Sequence, residues 1–132
     1  MKQILTLIAL SLLFSGTQAM ALDIYSSYEC NLIKVKPNRG PTYDRNFLLM
    51  PADHTHPNRI VFDIVERGNN YNRIVSYNEE SEKGLLFTPK HFINPKIHIK
   101  SEENKLMIEI IESRGGSPYS SGFTVHSFYN CI

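Results

Sequence analysis

Apolar and polar positions alternate with a period of two along most of this chain, which is the period of a pleated strand whose successive side chains point to opposite faces. The clearest case is the last fourteen residues, YSSGFTVHSFYNCI. Phe123, Val125, Ser127, Tyr129 and Cys131 fall on one side, and Thr124, His126, Phe128 and Asn130 on the other. Residues 59–66 put Ile60, Phe62 and Ile64 on one face with Val61, Asp63 and Val65 behind them. Two later runs, 96–100 and 105–112, repeat the pattern with Ile97 and Ile99, then Leu106, Ile108 and Ile110.

The breaks between runs read as turns. Gly68-Asn69-Asn70 supplies residues that tolerate positive φ, so a hairpin returns through 71–77. Ser101-Glu102-Glu103-Asn104 is a second, polar hairpin loop. Near the start, 24–36 reads IYSSYECNLIKVK, and its apolar phase moves from Tyr28, Cys30 and Leu32 to Ile33 and Val35, as a β-bulge would require. Pro37 and Pro41 stop that run; Pro89 and Pro95 bracket a turn or a single helical turn; residues 78–84 form a charged connection. Short apolar runs at 47–50 and 85–88 complete about eight strands, with no helix-period segment. The expected fold is all-β: a small antiparallel barrel or curled sandwich, one domain over 22–132, its interior filled by its own side chains.

Residues 1–21 read as a signal peptide. Lys2 gives a positive start, 4–14 is an apolar run too short to span a bilayer, and Ala19-Met20-Ala21 has the small-x-small form of a cleavage site. A periplasmic or secreted protein is expected, with no membrane insertion after cleavage. In that setting the two cysteines, Cys30 and Cys131, are most simply one disulfide tying the first strand to the last. Without Lys2, 13 basic side chains face 13 acidic ones. A neutral chain has no electrostatic footprint for nucleic acid, so none is expected as a partner.

Candidate chemistry is sparse. Asp53-His54-Thr55-His56 has metal-like spacing, and a further ligand would come from His91, His98 or His126, but polar residues between two prolines more often form simply a solvated loop, and no cofactor is expected. No serine sits in a nucleophile-elbow context, and His126 and Ser127 point to opposite faces of one strand, so the chain does not read as an enzyme. The connection 114–122, RGGSPYSSG, combines the side chains most enriched at binding hot spots with small adaptable ones. Arg114, Ser117 and Tyr119 are the candidate partner-binding residues, although a plain turn with Tyr119 packed on the barrel is the competing reading.

An exported chain of this size, nearly all β, with one disulfide from first strand to last, resembles the small periplasmic barrels that inhibit lysozymes and the periplasmic immunity proteins that counter cell-wall-cutting toxins. The inhibitors insert a Ser-Gly-x-x-Tyr loop into the enzyme cleft. Gly116-Ser117-Pro118-Tyr119 echoes it with the Ser-Gly order reversed, and the tryptophan usual in those inhibitors is absent here. The resemblance implies a protein partner, a lysozyme-like or other peptidoglycan-degrading hydrolase, which Arg114, Ser117 and Tyr119 would engage. A homodimer is compatible with the same pattern. The alternative is an exported β-domain that binds a metal or small ligand, or an envelope component.

Overall fold

The computed structural model describes residues 22–52, 58–77, 79–116 and 122–132. They form β1 (Tyr28–Lys36), β2 (Asn46–Pro51), β3 (Ile60–Glu66), β4 (Asn70–Ser76), β5 (Glu80–Ser81), β6 (Gly84–Pro89), β7 (Lys96–Glu102), β8 (Lys105–Arg114) and β9 (Phe123–Cys131). Every neighbouring pair is antiparallel, in the order β4-β3-β2-β1-β9-β8-β7-β6, and a β4–β6 pairing returns the sheet to its start. The result is a closed eight-stranded barrel, with the two-residue β5 as a ninth strand on β6. Closure gives each of the eight strands a neighbour on both sides, the β4–β6 joint resting on Ile74–Pro89 and Val75–Thr88.

The alternation in sequence becomes the inside and outside of this barrel. Phe62, Ile64, Ile74, Phe87, Ile97, Ile108, Ile110 and Tyr129 point inward and are fully buried. Aromatic rings fill much of the volume: Phe47 packs on Tyr129 at 4.7 Å between centroids, and Phe62 on Phe87 at 5.9 Å. Both ends are stoppered by the chain itself. Leu22 and Ile24 pack against the core at one end, and Tyr43, from the connection 37–45, is buried at the other.

The disulfide lies across the seam between the first and last strands. Cys30 and Cys131 sit directly opposite each other on β1 and β9, with an S–S bond of 2.06 Å. The next pair along, Glu29 and Ile132, exchanges two backbone hydrogen bonds of 2.9 and 3.0 Å. Cross-link and ladder therefore close the same joint.

The bulge in β1 also forms, but with a different outcome for one residue. Leu32 faces Tyr129 and Lys34 faces Phe128, so Ile33 is the additional residue. It is left out of the pairing and is 54% exposed, while Val35 returns to the inner face opposite Ser127. The sequence pattern groups Ile33 with Val35; the bulge separates them, because an unpaired residue need not follow the pleat. Within the charged connection 78–84 the pattern gave no sign of β5. That strand depends on Gly84, whose φ of +107° brings its Cα against β7, so that a Cβ there would lie 2.3 Å from the carbonyl oxygen of Ile99. Only glycine permits this approach.

Candidate functional site

The eight strands divide the connections between two poles. Residues 22–27 and 132, with 52, 58–59, 77, 79–83 and 103–104, lie at one, called here the terminal pole. Residues 37–45, 67–69, 90–95, 115–116 and 122 lie at the other, the loop pole. Arg114 and the connection that follows it belong to the loop pole.

That pole is built outward from the core. The Tyr129 hydroxyl, deep in the barrel, hydrogen-bonds the carbonyl oxygens of Tyr43 and Asp44 at 3.1 and 3.0 Å, drawing the connection 37–45 over the mouth. Burial raises the Tyr129 phenol well above its usual range, and burial together with the Glu66 and Glu112 carboxylates pushes Tyr43 up to about 12. A latch holds the same connection to the β3–β4 hairpin. The Asp44 N–H donates to Glu66 Oε2 at 3.0 Å, the Arg67 N–H donates to Asp44 Oδ2 at 3.1 Å, and Asn72 Nδ2 donates to Glu66 Oε1 at 2.7 Å.

On the other side of the mouth, β8 and β9 rise past their neighbours. Their last three pairs, Glu112 with Val125, Ser113 with Thr124 and Arg114 with Phe123, lie beyond the last pairings of β1 and β7. At about 3.3 Å per residue the hairpin stands roughly 10 Å above them. Its neck is made of glycines. Gly115 and Gly116 have φ of +69° and +94°, and a Cβ on Gly122 would lie 2.7 Å from the Arg114 carbonyl oxygen. The two legs can close this tightly only without side chains.

Arg114 is half-buried and its Nε donates to Glu112 on the same face of β8. The guanidinium of Arg39 stacks over the Phe123 ring at 4.7 Å to its centroid. Ser117 and Tyr119 lie outside the described residues. Alongside the neck, the connection 90–95 is pinned by Asn94, whose amide accepts from the Ser113 N–H at 3.0 Å and donates to the Ser113 carbonyl at 3.1 Å. This anchor holds Phe92 and Ile93 at the loop pole, 70% and 85% exposed. Sequence reading passed over both, treating 90–94 as a turn. The signal that would have found them is two consecutive large apolar residues in a proline-bracketed turn too short to bury them.

The described histidines do not converge on a metal-binding cluster. His54 and His56 lie outside the described residues, and His91 is exposed at the loop pole. His126 and His98 stand on the outer wall at either side of Glu109. His126 Nδ1 is 3.0 Å from Glu109 Oε1, Lys83 Nζ is 3.7 Å from the same oxygen, and desolvation lowers the pKa of His98. Among the described residues no group of three or more His, Cys, Asp or Glu side chains is placed to hold a metal ion. One groove they line, about 430 Å³, is an open one on the outer wall beside Glu29, Leu48, Val65 and Arg67.

The chain matches no protein-family model, no curated protein and no solved structure.

Proposed function

We propose that this protein is an exported inhibitor or immunity protein that blocks a hydrolase, a lysozyme-like or other peptidoglycan-degrading enzyme, by presenting the β8–β9 connection to its active-site cleft. The observation that carries this reading is the neck: β8 and β9 run three residue pairs beyond the last pairings of β1 and β7, and Gly115, Gly116 and Gly122 bring their ends together there. A projecting element on a rigid scaffold loses little conformational freedom when it enters a concave site. The disulfide fits an oxidising compartment such as the periplasm.

In this reading Arg114 reaches a carboxylate of the cleft. Its bond to Glu112 is made by Nε, which fixes the side chain and leaves the donors on both Nη atoms for a partner. Ser117 hydrogen-bonds in the cleft and Tyr119 is its apolar anchor. The test is binding and inhibition measured against a panel of purified muramidases and amidases. A complex that slows the enzyme, weakened at least about tenfold by Arg114→Ala or Tyr119→Ala, is the expected result. Unchanged rates and no complex across the panel would remove the reading; a complex indifferent to both substitutions would remove the loop assignment alone.

A further inference from the structure

Beyond Lys2 the formal charges of the chain cancel, yet they are sorted by pole. At the loop pole seven basic side chains stand against three acids, an excess of four positive charges. The acids are engaged within the fold, Asp44 and Glu66 in the latch and Glu112 on Arg114. Lys36, Arg39, Arg45, Arg67, Lys90 and Lys96 are exposed around them. At the terminal pole the balance reverses, with seven acids against four bases among the described residues. Between the poles, Lys34 and Arg73 balance Asp63 and Glu109.

This sorting changes what the molecule can meet. A barrel with opposite charge at its two ends orients in the field of a charged partner before contact, which raises the association rate in a salt-dependent way. The loop pole also carries an exposed apolar pair. Phe92 and Ile93, on the connection between β6 and β7, are held beside the β8–β9 hairpin by the Asn94–Ser113 bonds, with Lys90 and Lys96 flanking them in the chain. A basic end with an exposed apolar pair complements an acidic surface.

We infer that the loop pole is the docking surface for an acidic protein, with Phe92 and Ile93 as its apolar contact and the exposed Lys and Arg side chains setting orientation and association rate. The identity of that partner rests on the inhibitor reading. A glycan-cutting cleft is lined with carboxylates, so its field has the required sign. The terminal pole faces away from the partner.

Two double variants of the full mature chain test this, Arg67→Glu/Lys90→Glu and Phe92→Ser/Ile93→Ser, with Glu80→Lys/Glu103→Lys at the opposite pole as control. All six positions are exposed, so thermal melts of the three proteins should match wild type. Against a hydrolase that binds, the charge reversal should slow association about tenfold at low salt, and the serine pair should speed dissociation about 10- to 100-fold. The control should bind as wild type does. If a complex forms and both loop-pole variants bind like wild type, the docking surface is wrong while the inhibitor reading stands.

If no hydrolase binds, poly-L-glutamate is the second probe. Salt-sensitive binding lost in Arg67→Glu/Lys90→Glu would keep the acidic-partner surface and discard the hydrolase, whereas no binding by wild type would overturn both. Vesicles of phosphatidylethanolamine and phosphatidylglycerol are the third probe. Binding to them, abolished by Phe92→Ser/Ile93→Ser, would make the partner a membrane and overturn the inference.

Discussion

Replacing Cys30 and Cys131 by alanine should be the most damaging change that leaves the backbone chemistry of the barrel untouched. The two cysteines are 101 positions apart, and both are buried, 1% and 0% exposed. Closing a loop of that size restricts the unfolded chain by about 4.7 kcal/mol in the entropic account. The alanine pair also empties the space of two buried sulfur atoms, which adds to the loss. Unfolding entropy of about 2.1 cal/mol/K per residue, over the 132 − 21 = 111 residues of the predicted mature chain, comes to roughly 0.23 kcal/mol/K. The melting temperature should therefore fall by about 20 °C. Urea titration should show a second sign, a larger m-value for the variant, because its unfolded chain is no longer tethered and exposes more surface. Calorimetry and urea curves on wild type, reduced wild type and the double alanine variant make the measurement. A fall of less than about 5 °C with an unchanged m-value would mean that the ladder between β1 and β9 alone holds the seam, and the chain-entropy argument would be refuted.

Two further outcomes follow from local geometry. Gly84→Ala should cost at least about 3 kcal/mol, because its Cβ would meet the Ile99 carbonyl at 2.3 Å, whereas Gly68→Ala, at φ +78° in open space, should cost only about 1 kcal/mol; thermal melts of the pair make the comparison, and equal losses would refute it. Tyr43 holds its proton above the ordinary phenol range, so its contribution is complete below pH 10 and is lost as pH rises through 10 towards about 12; relative to Tyr43→Phe, wild type should lose about 3 kcal/mol over that window in urea titrations, and a constant difference would contradict the burial argument.

Most of the framework was legible in the sequence because it depends on neighbours in the chain. Period-two runs, short apolar runs and the turns between them located the eight barrel strands, the Gly68-Asn69 pair marked a hairpin in which Asn69 has a φ of 61°, and the two cysteines lie where the seam required them. What stayed hidden depends on pairs distant in sequence. Asn94 and Ser113 are 19 positions apart, and only their bonding shows that 90–95 is a fixed platform for Phe92 and Ile93. The Asp44–Arg67 bond spans 23 positions and turns two acids of the loop pole into a latch. Net charge was equally uninformative. A total near zero says nothing of location, and an antiparallel meander sends alternate connections to opposite ends, so acids at 79–82 and bases at 36–45 are separated only once the barrel closes.

Both backbone termini of the barrel, the segment entering at Leu22 and the residue following Cys131, emerge together on the side remote from Phe92, Ile93 and the glycine neck. A tag, fluorophore or solid support attached after Ile132 is therefore carried behind the molecule, and sensors built that way present the face of interest unobstructed.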